Sequence, residues 1–130
     1  MLQILKNIPF FSELNDEDLQ LIVDNVKMEY FQKDHVIFEE GSFGDIMYII
    51  KRGTVEVIRD KAIIAELSDN SFFGEMALVS EEPRNATITT KTEVEVLTLN
   101  KEDFKQLLAK NSNIASIVSY EVIKRINSNS

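Results

Sequence analysis

The sequence contains no cysteine, and this absence excludes two kinds of site. A disulfide framework and any thiolate-based metal or catalytic site both require cysteine. Histidine is almost as scarce, because His35 is the only one. No Ser/His/Asp signature surrounds it, so nucleophilic hydrolysis of that type is not indicated either.

Long hydrophobic runs and clusters of positive charge are also missing. No apolar run reaches the roughly 18 residues of a membrane-spanning helix. The N-terminus lacks the basic region, apolar core and cleavage site of a signal peptide, so we expect a cytoplasmic protein. The formal charge is −8, which argues against nucleic acid as a partner of this chain.

What remains is the composition of an ordinary globular domain. The 130 residues are 44% hydrophobic and 28% charged, enough for one domain spanning residues 1-130. Helical spacing of apolar residues dominates 1-26, where Asn15 is a predicted N-cap, and returns at 101-127. Short strands and turns fill 27-100, including a tight hairpin at Arg59-Asp60-Lys61.

This order of elements predicts the fold class. Many short strands at close spacing are typical of a barrel, a roll or a sandwich. We therefore expect an α+β protein: an antiparallel β-roll, that is, a double-stranded jelly-roll-like barrel, flanked by N-terminal and C-terminal helices.

The segment 73-87 holds the residue types best suited to binding chemistry. Gly74 permits a backbone conformation that other residues avoid, and Glu75–Leu78 has good helix propensity. Arg84 follows nine residues after Glu75. An arginine fork pairs with phosphate oxygens, and a carboxylate accepts hydrogen bonds from a hydroxyl, so a ligand with both groups fits. A structural ion pair between Arg84 and Glu75 is the alternative.

Two linked motifs in this segment resemble a known family. Phe73-Gly74-Glu75-Met76-Ala77-Leu78, followed by Pro83-Arg84-Asn85-Ala86-Thr87, is similar to the phosphate-binding cassette of cyclic nucleotide-binding domains. That family includes catabolite-activator type regulators, regulatory subunits of cyclic-nucleotide-dependent kinases, and cyclic-nucleotide-gated channels. Gly53-Thr54-Val55 and Pro9-Phe10-Phe11 also match the family pattern, and the resemblance covers residues 3 to 126.

The resemblance implies a role for each cassette residue. Arg84 would hold the cyclic phosphate, Glu75 would accept from the ribose 2′-hydroxyl, and the backbone of neighbouring residues would complete the cradle. Asn85 departs from the usual Ala, Ser or Thr. Since guanine preference in the family often accompanies Thr at this position, we expect cyclic AMP (cAMP). The predicted ligand-binding set is Phe73, Gly74, Glu75, Met76, Ala77, Arg84, Asn85, Ala86 and Arg125.

Arg125 belongs to this set because a basic residue near the end of the last helix reaches over the base in several family members. The alternative is a solvated charge that suits the helix C-terminus.

The resemblance also implies what the domain does. We expect a regulatory or sensory domain, not an enzyme, whose only small molecule is the cyclic nucleotide (cAMP or cGMP) and whose C-terminal helices rearrange on binding. An unidentified effector protein or missing effector domain would receive the signal, and a homodimer is possible.

Two alternatives stay open, and the second belongs to a different class. One is a degenerate family member that keeps the fold as a protein-interaction module without nucleotide. The other is a cupin-like metal enzyme, for which Asp34, His35 and Glu39 supply too few histidine ligands.

Overall fold

The computed structural model describes residues 2–128, and the side chains of residues 2–124. The described chain forms two compact units. The helical unit comprises residues 2–26 and 101–128. The β unit comprises residues 27–100. That residues 1-130 act as a single domain stays a prediction.

The β unit consists of two antiparallel four-stranded sheets, which confirms the predicted α+β fold with an antiparallel β-roll. One sheet has the order β1-β8-β3-β6 and the other the order β2-β7-β4-β5. The strands are β1 (Lys27–Phe31), β2 (Val36–Phe38), β3 (Ile46–Arg52), β4 (Val55–Arg59), β5 (Ala62–Leu67), β6 (Phe72–Phe73), β7 (Thr87–Thr90) and β8 (Val94–Asn100).

Turn chemistry and apolar burial explain why these strands form. Asp60 and Lys61, the two residues between β4 and β5, have φ of 52° and 69°. Left-handed residues at both central positions give the turn whose twist matches two antiparallel strands, so the predicted hairpin is confirmed. The core of the unit draws on both sheets and consists of Tyr48, Ile50, Val55, Phe73, Ile88, Val94 and Val96.

The helical unit is built from both ends of the chain. Its helices are α1 (Leu2–Lys6), α2 (Asp16–Val23), α3 (Lys101–Lys110) and α4 (Ser112–Ser128). The Asp18 amide donates to Asn15 Oδ1 at 2.8 Å, which confirms the predicted N-cap of α2. Among the described residues, no helix has the length and hydropathy needed to cross a bilayer.

Candidate ligand-binding site

A cavity of about 470 Å³ opens in the β unit, a size within the range of small-molecule sites. Eight of the nine predicted site residues line it. The ninth, Arg125, lies outside the residues whose side chains are described. The eight are Phe73, Gly74, Glu75, Met76, Ala77, Arg84, Asn85 and Ala86.

Two segments of the cavity wall, called arms, are residues 74–78 and residues 83–86. The first arm depends on a glycine. Gly74 follows β6 with φ of 74° and begins a 3₁₀ turn over Glu75–Leu78. A Cβ at Gly74 would lie 2.9 Å from Arg84 Nη1, so both the conformation and the space favour glycine. The Ala77 amide donates to the Gly74 carbonyl at 3.2 Å. The predicted short helix after Gly74 is thus present, as a 3₁₀ turn.

Backbone hydrogen bonds hold the second arm, which carries Arg84. The Arg84 amide donates to the Ser42 carbonyl at 2.7 Å, and the Gly41 amide donates to the Arg84 carbonyl at 2.7 Å. This pair of bonds ties Arg84 to the turn before β3. Because both backbone groups of Arg84 are engaged, the origin of its long side chain is fixed.

The Arg84 guanidinium lies against backbone and an aromatic ring. Nη2 donates to the Ile46 carbonyl at 2.9 Å, and Nη1 makes a longer 3.4 Å contact with the Gly74 carbonyl. Its Cζ lies 4.0 Å from the centre of the Phe38 ring, a cation–π distance. Nε is buried and has no hydrogen-bond partner in the described part of the chain.

No carboxylate neutralises this cation within the described residues. Arg84 takes part in none of the ion pairs found among the described residues, such as Lys6–Asp16, Arg52–Glu95 and Lys91–Glu66. Burial lowers the pKa of the Arg84 guanidinium from its ordinary value, while Tyr48, Asp45 and Glu75 act in the opposite direction. A partly buried cation with an unused donor is suited to receiving an anion.

Gly44 is a contact of Arg84 that the sequence did not reveal. A Cβ at this position would lie 2.6 Å from Arg84 Nη2 and 2.8 Å from Nε. Real Cβ atoms essentially never make contacts that short, so the guanidinium in this conformation occupies space that only a glycine leaves free. Glycine at this position therefore permits the observed arginine conformation.

Three aromatic rings form an apolar layer beside Arg84. Tyr48 and Phe73 stack with centroids 4.9 Å apart and planes 11° apart. Phe38 lies 6.0 Å from Tyr48 and 5.9 Å from Phe73. These distances are typical of favourable aromatic pairs. Phe38, the ring that contacts the Arg84 guanidinium, is therefore packed against the other two rings.

Asn85, next to Arg84, has an exposed side chain and a restrained backbone. Arg59 Nε, at the end of β4, donates to the Asn85 carbonyl at 2.9 Å. Ala86 follows and is buried, with 3% exposure. The β4–β5 hairpin thus contacts the second arm directly.

Sequence reasoning missed about half of the cavity wall. Strand alternation could have indicated Val57 and Ile88, since inward-facing positions recur every second residue. No local pattern marks Ser80 or Glu82, which lie in the irregular segment between the arms. The cavity residues absent from the predicted set are Phe38, Val57, Leu67, Phe72, Ser80, Glu82, Pro83 and Ile88.

The residues considered for a metal do not come together. Within residues 2–128, no group of three His, Cys, Asp or Glu side chains is placed to hold an ion. His35 is exposed and stacks on Phe31, with ring centroids 5.0 Å apart.

Comparison with known proteins gives a consistent result. Residues 28–111 match the model of the cyclic nucleotide-binding domain family. The chain is 33% identical over 106 residues to a cAMP-dependent protein kinase regulatory subunit of Yarrowia lipolytica, covering 80% of this chain and 28% of that protein. It is 34% identical over 123 residues to a cyclic nucleotide-gated potassium channel of Mesorhizobium japonicum, covering 95% of this chain and 34% of the channel.

A solved structure has the same fold. The N-terminal domain of a transcriptional regulator from Streptomyces coelicolor A3(2) superposes with a TM-score of 0.85 and 25% identity, covering 97% of this chain and 92% of that one. The chain spans about a third or less of the two curated relatives, so the match concerns one domain of each. The family model covers well over half of the chain, and the chain therefore belongs to the cyclic nucleotide-binding domain family.

Proposed function

We propose that this chain binds cAMP in the β-unit cavity and acts as a regulatory domain rather than as an enzyme. The observation that carries the proposal is Arg84, a half-buried cation with no ion-pair partner in the described residues and a buried, unused Nε. The cyclic phosphate supplies the missing negative charge. Its two exocyclic oxygens give the arginine fork acceptors that no described carboxylate supplies.

The remaining contacts divide the ligand between the two arms of the wall. The Glu75 carboxylate accepts a hydrogen bond from the ribose 2′-hydroxyl, and the backbone of Gly74, Met76 and Ala77 cradles the sugar and phosphate. Ala77 and Ala86 are buried and small, so the phosphate approaches the backbone closely. Phe73 lines the cavity and stacks on Tyr48.

The adenine preference rests on Asn85. This residue stands where a threonine often accompanies guanine preference in the family. Its exposed side chain carries an amide in place of that hydroxyl, and this amide can also donate, so direct competition between the two nucleotides tests the preference. Arg125, which the resemblance places over the base, would stack on the purine or donate a hydrogen bond to it. Neither contact depends on Asn85.

Regulation follows from a change in α3 and α4 when the ligand binds. The nucleotide orders the two arms, and the C-terminal helices close the site, so that an effector protein or a further domain receives the signal. The two curated relatives are named as a kinase regulatory subunit and a potassium channel, which supports a regulatory output. The cytoplasmic location and the homodimer stay predictions.

Isothermal titration calorimetry of the full chain with cAMP and then cGMP tests this proposal. We expect saturable binding of both at a ratio of one per chain, with the tighter constant for cAMP. A competition titration of cGMP against the cAMP complex checks the order. Absence of heat and of thermal stabilisation with both nucleotides would favour the degenerate, interaction-only alternative. A tighter constant for cGMP would overturn the adenine preference alone.

A further inference from the structure

The second arm of the cavity wall has no regular structure of its own. Residues 79–86 form neither helix nor strand between the 3₁₀ turn that ends at Leu78 and β7, which begins at Thr87. Loops of this kind open more readily than the strands around them. The position of Arg84 therefore depends on the individual hydrogen bonds that fix this segment to its neighbours.

The side chain of Arg59, at the end of β4, makes one of these bonds. Backbone pairing between β4 and β7 ends at Ile58 and Thr87, and Arg59 itself pairs with Ala62 across the hairpin. The Arg59 Nε donates to the Asn85 carbonyl at 2.9 Å. The Arg59 side chain thus connects β4 to the second arm beyond the point where backbone pairing stops.

Glu40 supplies a second, indirect connection. The Asp60 amide, in the hairpin turn, donates to Glu40 Oε1 at 3.1 Å, and the Glu40 amide donates to Thr87 Oγ1 at 2.9 Å. The amide of the next residue, Gly41, donates to the Arg84 carbonyl at 2.7 Å. Glu40 therefore joins the hairpin to the backbone segment that holds Arg84.

Arg59 and Glu40 lie outside the core of the β unit and outside the cavity wall. Both side chains are exposed. An exposed hydrogen bond contributes little to folding stability, because water can replace either partner. Two such bonds nevertheless restrict the positions available to a loop, and order that is present before binding lowers the entropic cost of binding. These contacts are therefore better suited to setting the site than to stabilising the fold.

We infer that Arg59 and Glu40 are positioning residues, which hold the second arm so that the Arg84 guanidinium is in place before the ligand arrives. The inference rests on the proposed phosphate contact of Arg84 and extends it to two residues outside the cavity. Because the cyclic phosphate is common to cAMP and cGMP, loss of either residue should weaken the binding of both nucleotides by the same factor. Coupling is reciprocal, so bound nucleotide should also stabilise the bonds between the arm and the hairpin.

Three substitutions separate the hydrogen bonds from the charges, with calorimetric titration of the full chain as the measurement. Arg59→Ala and Glu40→Ala should each lower the affinity for cAMP and cGMP about fivefold, because each breaks one connection between the hairpin and the arm. Glu40→Gln keeps an oxygen that accepts from the Asp60 amide, so its affinity should match that of the unmodified chain. Glu40→Ala and Glu40→Gln lose the same charge, and their difference isolates the hydrogen bond. Arg52→Ala, which removes an exposed arginine of β3, is the control and should bind normally.

Amide hydrogen exchange of the unliganded chain tests the same contacts without any nucleotide. Arg59→Ala and Glu40→Ala should speed exchange at the Gly41 and Arg84 amides, while the amides of β8, in the other sheet, serve as the internal reference. Thermal melting checks that each variant is folded. If the unmodified chain binds neither nucleotide, faster exchange supports the positioning of the arm, and only the proposed function fails.

The inference is overturned by unchanged exchange at both amides in folded Arg59→Ala and Glu40→Ala, whatever the nucleotide result. In a chain that binds nucleotide, it is also overturned by unchanged affinity in these two variants or by a loss that falls on one nucleotide alone. An equal loss in Glu40→Gln and Glu40→Ala has the same meaning, because it shows that the charge of Glu40 acts and its hydrogen bond does not.

Discussion

Arg84 is held by several weak constraints rather than by an ion pair. Its backbone makes two 2.7 Å hydrogen bonds, its guanidinium donates to the Ile46 carbonyl, and the Phe38 ring lies beneath it. None of these contacts neutralises its charge. The conformation is therefore organised before an anion arrives, and preorganisation reduces the cost of binding.

Gly44 gives a test of this preorganisation. Gly44→Ala should displace the guanidinium, because the added Cβ would lie 2.6 Å from Nη2. We expect cAMP affinity to fall about tenfold or more, with a small change in thermal stability. The measurement is calorimetric titration of the variant and of the unmodified chain.

A double-mutant cycle supplies the control for Gly44. If the loss acts through Arg84, then Gly44→Ala should cost little further affinity in an Arg84→Ala background. Additive losses in the double variant would mean that Gly44 supports the cavity by some other contact, and that the steric explanation is wrong.

Glu75 is tested with two ligands that differ by one hydroxyl. Glu75→Gln should weaken cAMP about tenfold, since it removes a charged acceptor from the 2′-hydroxyl, and should affect 2′-deoxy-cAMP much less. Calorimetry with both ligands isolates the pair. Glu82→Gln, a second carboxylate on the cavity wall, is the control and should not change the ratio. Equal losses for the two ligands would show that Glu75 is structural.

At the scale of elements, the β4–β5 hairpin and the cassette are mechanically linked. Arg59 at the end of β4 donates to the Asn85 carbonyl, and the Asp60 amide in the turn donates to Glu40 Oε1 at 3.1 Å. The Glu40 amide in turn donates to Thr87 Oγ1 at 2.9 Å. These bonds connect Asn85 directly, and Thr87 through Glu40, to the β4–β5 hairpin.

The last helix carries an apolar surface that exceeds the needs of one packed face. In α4, Ile114 and Val118 are buried, whereas Ile123 is 59% exposed and Tyr120 is 66% exposed. A helix that only packs on a fixed core needs a single apolar stripe. The additional surface suits a helix that changes its contacts when ligand binds.

Hydrogen exchange measures this change in α4. If the C-terminal helices close the bound site, amide exchange in residues 112–126 should slow when cAMP is added. Truncation before Ile123 should weaken binding mainly through faster dissociation. The β3 amides serve as the internal reference. Equal exchange with and without ligand, together with an unchanged off-rate, would remove α4 and Arg125 from the mechanism.

The sequence correctly predicted the elements that are determined by residues adjacent in the chain. The Asn15 cap, the Asp60-Lys61 hairpin and the turn after Gly74 are all confirmed, because each depends on residues close in sequence. The strand β1 was not predicted, since four of its five residues are exposed and give no alternation. β6 has two residues, too few for any period.

Long-range pairing explains the rest of what the sequence did not show. β7 and β8 are consecutive in the chain but belong to different sheets. Their partners are set by packing across the whole unit, which no short window contains. The cavity residues Phe38 and Leu67 come from distant strands for the same reason, and Gly44 is explained only by the position of Arg84. The residue roles inferred from the family resemblance are predictions that ligand-binding measurements test.

At the scale of the molecule, the chain combines a β unit that contains the cavity with a helical unit drawn from both termini. All described cavity residues lie in the β unit, between Phe38 and Ile88. We therefore propose that the β unit makes most of the ligand contacts and that the helical unit, which carries Arg125, provides the output. This division suits a regulatory domain, whose bound state must be read by another element or another protein.

We propose that Arg84 binds the phosphate of the nucleotide, and calorimetric titration of cAMP into Arg84→Ala measures that contact. Arg52→Ala is the matched control, because Arg52 is an exposed arginine of the same unit whose surface ion pair with Glu95 spans 3.8 Å. We predict that Arg84→Ala remains folded and loses about 2–5 kcal/mol of binding free energy, while Arg52→Ala binds like the unmodified chain. Unchanged affinity in folded Arg84→Ala would show that Arg84 does not bind the phosphate.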